Sequence, residues 1–135
     1  MSGRIVVHSL DHARAAVAAA AALGTGVTLV SAPGAGAYVG PGWFRAMVDE
    51  AAAGFPGTPV TAVIDCGDEP GTALAALRAG FRRVIVTTRA DARARLDDIA
   101  AAMGAIIEAP DGTALDLLAV RDCDAACREF LARTG

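Results

Sequence analysis

The chain has 135 residues, of which 54% are hydrophobic and 20% charged, with a net charge of −3. This composition predicts one globular domain, 1–135, and its acidic balance with scattered arginines predicts neither a nucleic-acid partner nor an anionic membrane surface. All 12 Lys and Arg positions are arginines, which excludes Schiff-base, pyridoxal-phosphate and Walker A lysines.

Short β-branched runs alternate with longer stretches of helical periodicity along the chain. This alternation predicts an α/β domain, either three-layered or a half-barrel, with a mainly parallel sheet of five or six strands. The five predicted strands are Arg4–His8, Val27–Ser31, Val60–Asp65, Arg83–Thr87 and Ala105–Glu108.

The helices between the strands carry start and stop signals. Asp11 is a candidate N-cap for the first, Pro41 and Pro70 fit the first turns of the second and third, and Thr88 with Asp91 forms a capping-box pattern for the fourth. A left-handed glycine is expected after each helix. These glycines are Gly24, Gly54, Gly80 and Gly104.

Two apolar stripes are spaced to face a sheet. They are Phe44, Met47, Val48 and Ala51 on the second helix, and Ala92, Leu96, Ile99 and Met103 on the fourth. After Glu108 two alternatives stay open, a hairpin around Asp111 and Gly112 or a sixth strand at Leu115–Val120. A last helix is predicted from Cys123 to Ala132, capped by Asp122.

The segment "ALAALRAGFRRVIVTT", Ala73–Thr88, resembles a helix and strand of the phosphate-binding (βα) barrels, and the whole repeat also resembles flavodoxin-like doubly wound proteins. The first resemblance implies a half-barrel, because a complete barrel needs about 250 residues. A half-barrel has an exposed flank, which implies a homodimer. The second implies an open sheet of order 2-1-3-4-5.

Polar residues follow the predicted strands at their carboxyl ends, where parallel sheets bind ligands. His8 and Asp65 are the candidate acid–base pair. In a doubly wound sheet strands one and three are neighbours, which would bring these two residues together. In a half-barrel strand two lies between them, so Ser31 would take part as well. Asp68 is a further candidate for ligand contact. Thr87, Thr88 and Arg89 are predicted to hold a phosphate. The alternative is a capping threonine and an arginine paired with Asp65 or Asp68.

The loop "GAGAYVG", Gly34–Gly40, follows a strand and precedes a helix. Its GxGxxxG spacing is one residue longer than the dinucleotide fingerprint. Gly34 and Gly36 allow close approach to an anion, and Tyr38 offers a hydroxyl or a stacking ring. The alternative is a long turn in which Tyr38 and Trp43 pack over the sheet.

The cysteines predict packing rather than catalysis. Acidic neighbours oppose a thiolate at Cys66, which is expected to be buried filler. Cys123 and Cys127 lack two further zinc ligands, so no metal site is predicted and the cofactor is unknown. Three cysteines are too few and too odd in number for a secreted disulfide framework, and no segment is long and apolar enough to span a membrane, so we expect a cytoplasmic protein.

These features lead to one functional hypothesis and two alternatives. The first is a protein that binds a small anionic metabolite, phosphorylated or not, at the carboxyl edge of its sheet, with acid–base chemistry if it is an enzyme. The second is a non-catalytic assembly module that pairs with another copy of itself. The third is a dinucleotide-binding domain.

Overall fold

The computed structural model describes residues 3–134 as six strands and six helices. The strands are β1 (Arg4–Val7), β2 (Val27–Ser31), β3 (Val60–Asp65), β4 (Arg83–Ile85), β5 (Ile106–Glu108) and β6 (Leu115–Asp116). The helices are α1 (Leu10–Leu23), α2 (Ala35–Tyr38), α3 (Pro41–Ala53), α4 (Pro70–Arg78), α5 (Ala90–Ala102) and α6 (Cys123–Thr134). The strands form one parallel sheet in the order β5-β4-β3-β2-β1-β6. The predicted α/β fold is therefore confirmed.

The strand order decides between the two predicted topologies. Each strand from β1 to β5 neighbours the next one in the chain, which is the order of a (βα) barrel. The doubly wound order 2-1-3-4-5 is wrong for this chain, since β2 lies between β1 and β3. The sixth strand is confirmed, although it ends at Asp116 and not at Val120: β6 pairs in parallel with β1, with Ile5 opposite Leu115 and Val6 opposite Asp116. The hairpin alternative is therefore wrong.

The contacts divide the chain into two compact units. Within its described residues, the first comprises 3–30, 46–61 and 112–134. In this unit α1 packs on α6. The alanine-rich face of α1 is buried, as are Cys127 and Leu131 on α6. Small side chains on α1 let the two helices approach closely. The contact is stabilised by the apolar area that both helices bury.

The second unit comprises 31–45 and 62–111. Its core contains Phe44 and Phe81, whose rings stack with centroids 6.1 Å apart. The guanidinium of Arg45 lies 4.5 Å from the centroid of the Phe81 ring, a cation–π geometry.

The predicted stripe on α3 is confirmed, since Phe44, Met47, Val48 and Ala51 are all buried.

Two helix starts differ from the predicted ones. Ser9, not Asp11, caps α1, because its extended backbone places the hydroxyl where Oγ accepts from the N–H of His12 at 3.1 Å. At α5 the capping box does not form, and Arg89 is the N-cap with no side-chain hydrogen bond. For α6 the prediction is confirmed, because Oδ1 of Asp122 accepts from the N–H of Ala125 at 3.0 Å.

The predicted glycine stops are correct at three positions and wrong at one. Gly24, Gly80 and Gly104 have positive φ angles of 68°, 94° and 71°. Gly54 is not among the positive-φ glycines. Between Gly54 and the next strand the chain turns through hydrogen bonds from Phe55 to Ala52 and from Thr58 to Phe55, and these turns need no left-handed residue.

The predicted stripe on α5 is half correct. Ala92 and Leu96 are buried, whereas Ile99 and Met103 are 36% and 44% exposed. The buried line continues four residues on, at Ala100, so the helix face is set by the i, i+4 spacing. At the adjoining strand, the Arg93 guanidinium donates to the carbonyl of Ile107 at 3.2 Å.

None of the helices described within residues 3–134 has the length and hydropathy needed to cross a bilayer.

Candidate functional site

Asp65, at the end of β3, joins two loops of the second unit. Its Oδ1 accepts hydrogen bonds from the backbone N–H of Gly34 at 3.2 Å and of Gly67 at 2.8 Å. Both glycines have positive φ, 73° and 60°, a conformation that glycine adopts without strain. Asp65 therefore fixes the loops that follow β2 and β3.

Ser31 and Thr87 belong to the same network. The Oγ of Ser31 accepts from the N–H of Asp65 at 2.8 Å, and the N–H of Thr87 donates to the carbonyl of Gly67 at 2.8 Å. The structure thus brings together Ser31, Gly34, Asp65 and Thr87, four of the residues that the sequence indicated. We call the loops after β2, β3 and β4 that these bonds connect the tied loops.

The glycine-rich loop contains a short helix, α2, that the sequence did not indicate. Gly36 in this helix is buried, and a Cβ built on it would lie 3.0 Å from Cys66 Sγ and 3.3 Å from the carbonyl oxygen of Asp65. Its role in the structure is to let α2 approach β3. Tyr38 is 86% exposed and Trp43 50% exposed, so the alternative in which both rings pack over the sheet is wrong.

Cys66 is buried filler, as predicted. Burial, and secondarily the charge of Asp65, raise the pKa of its thiol to about 12. The thiol therefore stays neutral at physiological pH and is a poor nucleophile.

The polar groups after β4 lie at the surface. Thr87 is exposed and Thr88 is half-buried. The Arg89 side chain is 80% exposed and its Nε lies 3.5 Å from Asp91 Oδ1, so Arg89 pairs with the first turn of α5 and not with Asp65 or Asp68, as the alternative proposed. Asp68 is exposed.

His8 belongs to the first unit, where its partner is a residue that the sequence did not indicate. Its Nε2 lies 2.7 Å from Oδ1 of Asp116 in β6. Burial acts to raise the pKa of Asp116, but hydrogen bonds from Leu118 N–H and His8, with the charges of His8 and His12, outweigh it and lower that pKa. The sequence does show an acidic residue, Asp116, inside the predicted sixth strand. Only the pairing of β1 with β6 shows that this residue is the partner of His8.

No group of three or more His, Cys, Asp or Glu side chains within residues 3–134 is arranged to hold a metal ion. Burial is the main cause that raises the pKa of Cys127 to about 12, with smaller contributions from the nearby Cys123 and Asp124. Cys123 is half-buried, with Sγ 3.7 Å from the carbonyl of Val120. The buried Cys127 thus contributes to packing between α1 and α6.

Comparisons with known proteins show the fold and no family. No family model matches the sequence, and the search of curated proteins gives no match. Forty-six chains among solved structures match. One of them is described as a "putative fructose-1,6-biphosphate aldolase" from Coccidioides immitis, with a TM-score of 0.64 and 18% sequence identity. The match covers 93% of this chain and 52% of the other, so this chain spans about half the length of that structure.

Proposed function

We propose that this protein binds a small phosphorylated polyhydroxy metabolite on the tied loops of its second unit. The observation that carries the proposal is the Asp65 network, because it fixes Gly34, Gly67 and Thr87 relative to one another. A preorganised set of loops loses little conformational entropy when a ligand binds.

The donors for a phosphate lie after β4. The hydroxyls of Thr87 and Thr88 and the guanidinium of Arg89 lie there, and in the part of the chain that the structure describes the N-cap side chain makes no capping hydrogen bond to α5. An anion at that position would be stabilised by these N–H groups and by the helix dipole. Among residues 3–134, Arg89 has one ion pair, the exposed one with Asp91, which is weak enough to rearrange around a ligand.

The acidic side of the same region fits the remainder of such a metabolite. Asp68 is exposed on the loop after β3, where its carboxylate can accept hydrogen bonds from sugar hydroxyls and would repel a second anion. Oδ1 of Asp65 already accepts two N–H groups, so we assign this residue to holding the loops. The solved structure of similar fold is described as an aldolase of a sugar bisphosphate, which supports testing this class of ligand.

Thermal unfolding with inorganic phosphate, fructose 1,6-bisphosphate, fructose and NAD tests the proposal. We expect stabilisation by the phosphorylated sugar, about 2.7 kcal/mol at a concentration one hundred times Kd, and none by fructose. Arg89→Ala should weaken binding about tenfold. Arg95→Ala is the matched control, because Arg95 is 74% exposed and also lies near Asp91, at 3.7 Å. Equal losses in both variants, or no shift with any phosphate at millimolar concentration, would contradict the proposal, and a shift with NAD alone would favour the dinucleotide alternative.

A further inference from the structure

The first unit places a histidine and an aspartate together at the carboxyl ends of two paired strands. His8 directly follows β1, and Asp116 lies in β6 opposite Val6. Their side chains meet at 2.7 Å and are 19% and 49% exposed. The pair is thus reachable from solvent, and strand pairing fixes the backbone on both sides.

The hydrogen bond to Asp116 determines which nitrogen of His8 is basic. A carboxylate only accepts, so Nε2 of His8 carries the proton and donates it to Oδ1. The same Oδ1 accepts from the N–H of Leu118 at 2.9 Å, which fixes the carboxylate in turn. Within residues 3–134 no group is hydrogen-bonded to the Nδ1 of His8, which therefore keeps its lone pair available.

The first turn of α1 holds the backbone of His8 in place. The N–H of His8 donates to Nδ1 of His12 at 3.0 Å, and the N–H of His12 donates to Oγ of Ser9 at 3.1 Å. The two rings are nearly perpendicular, at 87°, with centroids 5.9 Å apart. This edge contact restricts the rotation of the His8 ring.

We propose that His8 is a proton-transfer residue and that Asp116 is its positioning residue. Nδ1 would take a proton from a carbon next to a carbonyl group, so that a C–H bond breaks, an N–H bond forms and the electron pair moves onto the carbonyl oxygen as an enolate. The imidazolium formed is stabilised by the carboxylate at Nε2 and returns a proton to the carbon. All of these residues belong to the first unit, so this proposal stands independently of ligand binding on the tied loops.

The first test is the tautomer of His8 in the full chain, read from the side-chain ¹⁵N chemical shifts when the ring is neutral. We expect the Nε2–H form, with Nδ1 unprotonated. Observation of the Nδ1–H form would overturn the proposal without any variant. In Asp116→Ala the fraction of the Nε2–H form should fall to that of a histidine without a partner, whose neutral ring favours Nε2–H only moderately, whereas Asp116→Asn should keep the higher fraction, because the amide oxygen can still accept from Nε2.

The second test is exchange of carbon-bound hydrogen for deuterium in dihydroxyacetone phosphate dissolved in D₂O, followed by proton NMR. We expect exchange above the buffer rate, reduced at least one hundredfold, a typical general-base contribution, in His8→Gln. Asp116→Asn should reduce it about tenfold or more, because it removes the charge that stabilises the imidazolium. Asp98→Asn, which removes an exposed carboxylate of the second unit, is the control and should change nothing. Exchange at the buffer rate, or exchange that His8→Gln leaves unchanged, would overturn the proposal.

Discussion

The hydrogen bonds of Asp65 allow a quantitative test of how the tied loops are held. In Asp65→Ala, the N–H groups of Gly34 and Gly67 lose the acceptor that they share at 3.2 Å and 2.8 Å. An unsatisfied donor costs about 1–3 kcal/mol. Because the residue is only half-buried, we expect the lower part of that range for each bond and a total loss of about 2–4 kcal/mol in the free energy of unfolding.

Asp65→Asn separates the acceptor from the charge. Its amide oxygen can accept the same two N–H groups, and neutral hydrogen bonds are weaker than charged ones, so we expect a loss of only about 1 kcal/mol. Urea unfolding followed by far-UV circular dichroism measures both variants, and the slope m should stay constant. Asp68→Ala on the same loop is the control, with a change of about 0.5 kcal/mol or less. An Asp65→Ala variant as stable as the unmodified chain, or two Asp65 variants of equal stability, would show that Asp65 does not hold the loops in this way.

Three further predictions concern buried residues. We expect a thiol reagent at pH 8 to modify Cys123 rapidly and to leave Cys66 and Cys127 unmodified, because burial raises the pKa values of these two thiols to about 12. In urea all three cysteines should react. Equal modification rates in the folded protein would contradict this expectation. Since the thiols ionise near 9.0 once unfolded, stability should also fall as pH rises above that value. Gly36→Ala should lower the free energy of unfolding by about 1–3 kcal/mol, because the added Cβ would lie 3.0 Å from Cys66 Sγ. Gly71→Ala is the control and should be neutral or stabilising, since the added Cβ has no neighbour within 4 Å. A neutral Gly36→Ala would show that α2 moves away from β3 freely.

Local sequence patterns predicted the strands well. The bounds of β2 and β3 are those predicted, because continuous apolar runs next to glycine or proline leave few alternatives. Helix caps were less predictable. Asp11 and Ser9 are both good capping residues, and only the backbone angles of Ser9, φ −154° and ψ 166°, show that the helix begins one residue before Asp11.

The site residues could be predicted where they lie at the ends of clearly patterned strands. They could not be predicted where the partner lies far away in the sequence. Ser31, Asp65 and Thr87 were indicated because each follows a strand, and the barrel order brings those strands side by side. Asp116 was missed because it is 108 residues from His8 in sequence and lies in a strand of two residues, Leu115–Asp116. No periodicity can be read from so short a segment.

The interleaving of the two units has a consequence for synthesis on the ribosome. The second unit is complete once residue 111 has been made, whereas the first still needs 112–134. Domains generally fold as units, N-terminal first, during synthesis, but here residues 3–30 must wait for residues 112–134. Until then β1 exposes a hydrogen-bonding edge without its β6 neighbour, and His8 emerges long before the carboxylate that orients it.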